Sequence, residues 1–292
     1  MAHLVNADLR SVIGAPHPDR APLPPAAHLG AGVRLLRGVP YTDVPGTRPP
    51  ELDLWLPERR PGAPAVPVVL FAHGGAWRRG RREDMGYRMR GWEPGPFARL
   101  AAAGLAVASV DYRLSGEAVF PAPLDDLRAA LRWLALRAPE LGTDTGRTAV
   151  WGESAGGHLA ALLALSEGAS RLRGAVAWYA PSDLTRQPDG PDTPEALLLG
   201  AAPSRVPGLA REASPVAQVR PGAPPFLLVH GEDDSMVDCD HSRALAARLD
   251  EAGVPVDLWT VPGADHVWHG LPEEQVERLF ERTLDWIRRI TG

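Results

Sequence analysis

Residues 148–165, with the sequence TAVWGESAGGHLAALLAL, decide the fold of this chain. The apolar run at 148–151 predicts a buried strand, and the Ala- and Leu-rich run at 154–165 predicts a helix. Between them lies the pattern G-x-S-x-G at 152–156. In a sharp strand-to-helix turn, the central residue of this pattern is held in strained geometry with its hydroxyl exposed. The flanking glycines allow strand and helix to approach closely. The stretch therefore predicts a nucleophilic serine, Ser154.

Short apolar runs alternate with helical patterns on both sides of this stretch. Strands are predicted at 67–72, 105–110, 148–151, 174–179, 225–229 and 256–261, and helices at 97–103, 124–138, 154–165, 242–252 and 274–290. The runs at 33–39 and 52–56 are expected to add an antiparallel pair. This alternation predicts an α/β fold with a mostly parallel sheet of about eight strands and helices on both faces.

The chain divides into a short N-terminal segment and one domain. Residues 1–32 are rich in Pro, Ala and His and are expected to form an N-terminal extension or partial cap. Residues 33–292 are expected to form one catalytic domain. Within it, the Pro-rich stretch 181–224 contains a helical run only at 195–199. A stretch of this length favours a lid or pocket wall, and a solvated connection is the alternative.

Composition excludes several classes of function. All 31 basic residues are Arg, which rules out a Lys Schiff base, a Walker-type phosphate loop and a Ser–Lys dyad. The single cysteine, Cys239, rules out an internal disulfide and a multi-cysteine metal site. A net charge of −5 argues against nucleic acid as a partner. No apolar run reaches the roughly 18 residues of a membrane span, and the N-terminus lacks the apolar core of a signal peptide. We therefore expect a cytoplasmic protein without a membrane partner.

A serine hydroxyl needs a base within hydrogen-bond reach and an acid that orients that base. In this fold the acid follows the serine along the chain, and the histidine comes last. The segment HGEDD at 230–234 and the segment GADH at 263–266 each follow a predicted strand. Parallel sheets place their ligands at these carboxyl ends. Asp234 is the preferred acid and His266 the preferred base.

Other residues compete for both roles. His158 lies one helical turn after Ser154 and is expected beside the site, whereas His230 is expected to brace the end of its strand. His266 and His269 share a spacing seen in metal sites, but no H-E-x-x-H pattern accompanies them, so no metal is expected. The spacing leaves open Asp233, Asp238 and Asp240 as acids, and His269 as the base.

The segment His73-Gly74-Gly75-Ala76-Trp77 supplies the remaining component of such a site. Attack on a carbonyl creates a negative oxygen, and backbone N–H groups of a glycine-rich loop can approach that oxygen closely. The expected oxyanion-hole donors are the N–H groups of Gly74, Gly75 and Ala155. An ordinary turn at the end of a strand is the alternative for the two glycines.

Aromatic and basic residues suggest how a substrate would be held. Trp77, Tyr179 and Trp268 are expected to line the substrate pocket, with Trp92 a further candidate. Four arginines directly follow the glycine-rich loop. A solvated surface is the favoured interpretation of this cluster, and recruitment of an anionic substrate is the alternative. The cluster consists of Arg78, Arg79, Arg81 and Arg82.

The chain resembles the hormone-sensitive-lipase-like serine esterases of the α/β-hydrolase fold and the bacterial carboxylesterase–arylformamidase group. The matching motifs are HGGAW at 73–77, DYRL at 111–114, FPAPLDD at 120–126, GESAGG at 152–157, APPFLLVHGEDDSMV at 223–237 and PGADH at 262–266. The resemblance implies a triad of Ser154, Asp234 and His266, with no cofactor. It implies hydrolysis of carboxylic esters, and we expect the substrates to be short-acyl esters of small molecules. Formamide or amide hydrolysis by the same triad is the alternative, and a non-catalytic binding protein on this scaffold is a third. Oligomeric state is left open.

Overall fold

A computed structural model describes residues 16–60, 62–167, 172–186 and 190–292. Within these ranges one sheet contains nine strands in the order β1-β2-β3-β5-β4-β6-β7-β8-β9. The strands are β1 (Ala27–His28), β2 (Val33–Pro40), β3 (Glu51–Pro57), β4 (Val66–Ala72), β5 (Ala106–Val110), β6 (Thr143–Glu153), β7 (Leu172–Trp178), β8 (Phe226–Gly231) and β9 (Val256–Val261).

The sheet is mostly parallel, as the sequence predicts. All neighbours from β5 through β4, β6, β7 and β8 to β9 are parallel. The first three strands join antiparallel, with β2 on β3 and β3 on β5. The described sheet has one strand more than the predicted number, because the two-residue β1 pairs with the outer edge of β2.

Eight α-helices and three short 3₁₀ helices accompany the described strands. The α-helices are α1 (Pro96–Ala102), α2 (Ala122–Leu141), α3 (Ala155–Leu165), α4 (Pro194–Leu199), α5 (Pro207–Glu212), α6 (Pro215–Gln218), α7 (Asp240–Glu251) and α8 (Glu273–Thr291). No helix among the described residues is both long and apolar enough to cross a bilayer. The cytoplasmic location expected from the sequence stays a prediction.

The central strands are apolar on both faces because each face is covered by helices. In β4, Val68 and Leu70 belong to the core cluster that contains α2, α3 and α7. Val69 and Phe71 point the other way, into the cluster that contains α1 and α8. Alternate residues of a strand face opposite sides, so a strand between two helical layers has no polar side. The predicted helices on both faces are confirmed.

The described part of the N-terminal segment packs on α2. The indole Nε1 of Trp133 donates to the carbonyl of Pro18 at 3.1 Å, and Nη1 of Arg137 donates to the same carbonyl at 3.1 Å. Leu23 is half-buried against the core. Residues 1–15 of the predicted extension lie outside the described residues, so the expectation of a partial cap stays a prediction, and the described part of the extension is 16–32. None of the latter lines the cavity described below.

The described part of 181–224 contains α4, α5 and α6 and packs against α3. The imidazole Nε2 of His158 donates to the carbonyl of Ala213 at 2.7 Å. The guanidinium of Arg220 donates to the carbonyls of Leu165 and Ser166, at 3.1 and 2.8 Å. The short helices are therefore part of the packing around α3. Residues 187–189 of this stretch lie outside the described residues.

Candidate active site

Ser154 occupies the sharp turn that the sequence predicts between β6 and α3. Its φ of 50° and ψ of −121° lie in a region that non-glycine residues rarely adopt. The turn closes because two neighbours have no side chain. A Cβ on Gly156 would lie 2.0 Å from the carbonyl oxygen of Ala72, and a Cβ on Gly152 would lie 2.2 Å from that of Gly156. The two glycines thus permit the geometry that exposes the Ser154 hydroxyl.

The His266 imidazole bridges the serine and a carboxylate. Its Nε2 lies 3.1 Å from Oγ of Ser154, and its Nδ1 lies 2.8 Å from Oδ2 of Asp234. Asp265 fixes the loop that carries the imidazole, because its carboxylate accepts the backbone N–H groups of His266 at 2.6 Å and of Ser235 at 2.7 Å. The preferred residues of the sequence analysis are therefore brought together, with serine and acid on opposite ring nitrogens.

Asp234 is held by donors on both of its oxygens. Its Oδ1 accepts the backbone N–H groups of Met236 and Val237, at 3.0 and 2.8 Å. Its Oδ2 accepts from His266 and lies 3.3 Å from Nε2 of His230. Burial alone would raise the pKa of the Asp234 carboxyl, but hydrogen bonds from His230 and His266 hold that pKa well below its usual value. The carboxylate is therefore ionised at neutral pH.

His230 braces the end of its strand, as expected. Its Nε2 donates to the carbonyl of Val237 at 2.8 Å, and its Nδ1 accepts from the hydroxyl of Ser242 at 2.7 Å. The ring therefore connects β8 to α7 and fixes the loop that contains Asp234 through its hydrogen bond to Val237. Its distance of 3.3 Å to Oδ2 of Asp234 also places a second imidazole beside the buried carboxylate.

The competing residues have other partners. His269 lies 3.2 Å from the hydroxyl of Tyr87 through its Nδ1. Nδ1 of His158 accepts from the indole of Trp77 at 3.2 Å, and burial lowers the pKa of His158 to about 4. The Asp238 carboxylate accepts the backbone N–H of Asp240. Among the described residues no three His, Cys, Asp or Glu side chains gather in a way that could hold a metal ion.

The glycine-rich loop differs from the expectation in one donor. The N–H of Gly74 donates to Oε1 of Glu153 at 3.3 Å, so it points at a side chain of the protein. Gly75 and Ala76 have φ values of 120° and 54°, which turn the backbone after Gly74. Within the described ranges no acceptor is present for the N–H groups of Gly75 and Ala76. Ala155, the first residue of α3, has an N–H without an intrahelical acceptor.

Glu153, the variable residue of the pentapeptide, belongs to the site but was not predicted from the sequence. Its carboxyl is buried and accepts hydrogen bonds from the hydroxyl of Tyr179 and the N–H of Gly74. Burial raises the pKa of the Glu153 carboxyl, and these two hydrogen bonds oppose the rise. An acidic residue at the end of a central apolar strand is the signal that could have found it, because carboxylates are rarely buried without partners.

A cavity of about 420 Å³ opens beside Ser154 and His266. Its volume lies in the range of small-molecule sites, about 300–1,000 Å³. The apolar part of its wall comes from Ala76, Tyr87, Met236 and Val267, and the charged part from Arg79, Asp84, Arg90 and Glu153. Described residues of 181–224 do not line this cavity. Among the described residues the loop at 79–90 supplies part of the wall, whereas the short helices of 181–224 pack around α3, so the predicted lid stays a prediction.

The three aromatic residues expected to line the pocket are buried outside its wall. Trp77, Tyr179 and Trp268 are at most 2% exposed, and none of them lines the cavity. The Trp77 indole donates to His158. The Tyr179 ring packs edge-on against His266 and Trp268, with centroid distances of 5.0 and 4.7 Å. The expectation that these three side chains line the substrate pocket is corrected, because they pack inside the protein and do not reach the cavity wall.

Comparison with models of known protein families matches residues 52–249 to the family described as BD-FAE. The chain belongs to the BD-FAE family. The matched region runs from β3 into α7 and includes Ser154 and Asp234, whereas His266 lies beyond it. In this BD-FAE chain, one of the three contacting residues of the candidate site, His266, therefore lies outside the region that the family model matches.

The similar proteins and the similar solved structure given below are named as esterases. The BD-FAE chain is 30% identical to esterase LipQ of Mycobacterium tuberculosis over 271 residues, which cover 87% of this chain and 62% of LipQ. It is 34% identical to esterase LipI of the same organism over 236 residues, covering 74% and 70%. The structure of a truncated carbohydrate esterase from gut microbiota has a TM-score of 0.77 at 24% identity and covers 91% of this chain and 99% of that one. The predicted α/β-hydrolase fold and the resemblance to bacterial carboxylesterases are confirmed.

Proposed function

We propose that this protein is a serine carboxylesterase that hydrolyses short-acyl esters of small molecules without a cofactor. The observation that carries the proposal is the hydrogen-bonded series Ser154–His266–Asp234 at the wall of an open cavity. Named esterases among the relatives support the same reaction class. Because the chain spans 62% of LipQ's length, the activity of the whole protein is part of the proposal.

The geometry suits acyl transfer through a covalent intermediate. Nε2 of His266 takes the Ser154 proton as Oγ attacks the ester carbonyl, and Nδ1–H remains hydrogen-bonded to Asp234. The tetrahedral intermediate collapses as the C–O bond to the alcohol breaks, and His266 returns the proton to the leaving alcohol. Water then attacks the acyl-serine with His266 again as base, releasing the acid and restoring the Ser154 hydroxyl.

The oxyanion would be held by backbone donors. The N–H groups of Gly75, Ala76 and Ala155 are the proposed donors, because no described acceptor occupies those of the loop and because Ala155 opens a helix. Gly74 is replaced in this role by Ala76, since its own N–H is directed at Glu153. Loss of one such donor typically costs on the order of 3 kcal/mol in the activation barrier.

The test is hydrolysis of p-nitrophenyl acetate and butyrate by a matched pair of serine variants. Ser154→Ala removes the nucleophile at the start of α3, and Ser166→Ala removes a hydroxyl that bonds the carbonyl of Leu163 at the other end of this helix. We expect Ser154→Ala to lower kcat by at least about 10³-fold and Ser166→Ala to keep activity. Turnover by Ser154→Ala comparable to the unmodified enzyme would reject the proposal. Faster turnover of N-formylkynurenine than of both esters would favour formamide hydrolysis.

A further inference from the structure

The arginine cluster at 78–82 divides into paired and unpaired side chains. Arg82 forms ion pairs with Glu51 at 3.0 Å and Asp53 at 2.8 Å, and also with Asp111. Arg81 lies 3.8 Å from Glu83. In the part of the chain that the structure describes, neither of the other two arginines has a carboxylate within 4.0 Å. The cluster is therefore not uniform, and the unpaired members are Arg78 and Arg79.

Of these two unpaired arginines, Arg79 lines the cavity that contains Ser154. Its backbone N–H donates to the carbonyl of Gly75 at 3.1 Å. A Cβ on Gly75 would lie 2.1 Å from the Arg79 carbonyl oxygen and 3.2 Å from its Cγ. The aliphatic stem of Arg79 thus runs beside Gly75, which is one of the proposed oxyanion donors. This packing ties the base of the side chain to the loop that faces the reacting carbonyl.

The other charged groups of the cavity wall already have hydrogen-bond partners within the protein. Nε of Arg90 donates to the Asp84 carboxylate at 2.9 Å. The Glu153 carboxyl is buried and accepts hydrogen bonds from the hydroxyl of Tyr179 and the N–H of Gly74. Among described residues of the wall, Arg79 is therefore the charged side chain without a partner. An arginine without a carboxylate partner at the wall of a cleft can bind an anion that enters the cleft.

We propose that the preferred substrates are short esters that carry a free carboxylate elsewhere in the molecule, with Arg79 binding that carboxylate while the ester carbonyl meets Ser154. This inference rests on the proposed esterase function and names its substrate class. A guanidinium binds a carboxylate through two parallel hydrogen bonds, which fixes both position and orientation. The apolar wall formed by Tyr87, Met236 and Val267 covers the hydrocarbon part between the two ends of such a substrate.

The experiment uses two matched substrate pairs, because the carboxylate can belong to the acid or to the alcohol. Monomethyl succinate is compared with methyl 4-methylpentanoate, in which an isopropyl group replaces the carboxylate of the acyl part. In the same way, 4-acetoxybenzoate is compared with 4-isopropylphenyl acetate for the alcohol part. We expect a higher kcat/KM for the anionic member of at least one pair, and the pair that shows it identifies which end Arg79 binds.

Variants then assign the preference to one side chain. Arg79→Gln is expected to lower the anionic-to-neutral ratio of kcat/KM by about tenfold, mainly through KM of the anionic ester. Arg79→Lys is expected to restore part of that ratio, since the charge returns without the planar fork. Arg78→Gln is the matched control, because Arg78 belongs to the same cluster but does not line the cavity. Added salt is expected to reduce the ratio of the unmodified enzyme.

The outcomes distinguish failure of the proposed substrate class from failure of the esterase proposal. Hydrolysis of the neutral esters by Ser154 with no anionic preference in either pair would overturn the substrate class and leave the esterase function intact. The same holds if Arg79→Gln leaves the ratio unchanged, or if Arg78→Gln lowers it equally. If none of the four esters is hydrolysed and Ser154 acquires no acyl group from p-nitrophenyl acetate, both proposals fail together.

Discussion

Replacement of Asp234 by Asn changes one atom at the centre of the site. The Asn oxygen can still accept the N–H groups of Met236 and Val237, which now bond Oδ1. The amide nitrogen then faces Nδ1 of His266, where Oδ2 accepts at present. Two N–H groups cannot bond each other, so the imidazole must move its proton to Nε2. In that tautomer Nε2 cannot accept the proton of Ser154, whose Oγ lies 3.1 Å from Nε2.

The size of the effect follows from this loss of the base. In triads of this kind, replacing the orienting Asp by Asn lowers turnover by about 10⁴-fold. We expect kcat/KM of Asp234→Asn for p-nitrophenyl acetate to fall by about 10³- to 10⁴-fold, a change of about 4–5.5 kcal/mol in the barrier. The fold should persist, because both backbone hydrogen bonds to the side-chain oxygen remain available.

The matched control for this variant is Asp233→Asn. Asp233 precedes Asp234 in the chain and is exposed, and it competed with Asp234 for the acid role at the level of the sequence. We expect Asp233→Asn to keep its activity, with circular dichroism confirming that both variants are folded. The account would be refuted by a folded Asp234→Asn enzyme within about tenfold of the unmodified kcat/KM, or by an equal loss in Asp233→Asn.

Three further predictions concern stability, pH and positioning. Gly156→Ala should prevent folding, because its Cβ would lie 2.0 Å from the Ala72 carbonyl oxygen; a thermal transition within a few degrees of the unmodified protein would contradict this. The folded state keeps His158 neutral, with its pKa lowered by burial to about 4. The free energy of unfolding should therefore fall as the pH drops from about 6.5 to 4, by up to about 1.4 kcal/mol per pH unit for this residue. His158→Gln should flatten that slope in urea titrations, and an unchanged slope would count against the assignment. Glu153→Ala should lower kcat more than it changes KM, with partial rescue by Glu153→Gln, since the carboxyl holds Gly74; equal losses in both variants would oppose a positioning role.

The parts of the site that the sequence predicts follow from local pattern and chain order. Ser154 is marked by glycines at fixed offsets, and its turn needs no distant information. Asp234 and His266 each follow a strand of a parallel sheet, so their approach to Ser154 is a consequence of topology. The same topology places His73 and the loop after it at the carboxyl end of β4. Spacing alone did not decide which of the neighbouring carboxylates is the acid that orients the histidine, because that choice depends on hydrogen bonds within the loop.

The remaining features depend on backbone direction and side-chain packing. Whether Gly74 or Ala76 offers its N–H is set by φ values of 120° and 54° at Gly75 and Ala76, which no pattern encodes. Trp77 became a buried support because His158 accepts its indole proton. The contribution of 79–90 to the cavity wall was not predicted because that loop has no regular period, whereas the stretch at 181–224 was predicted as a lid from its length and its Pro-rich composition.

The most direct measurement of the central claim is the identity of the residue that becomes acylated. The enzyme is mixed with p-nitrophenyl acetate, quenched in acid within the first turnovers, digested and analysed by peptide mass spectrometry. The account predicts an acetyl group on Ser154 in the peptide that contains Gly152 to Gly156, and its absence in Ser154→Ala. Turnover without acetylated Ser154 in rapidly quenched samples, or acetylation of a different residue that tracks turnover, would contradict it.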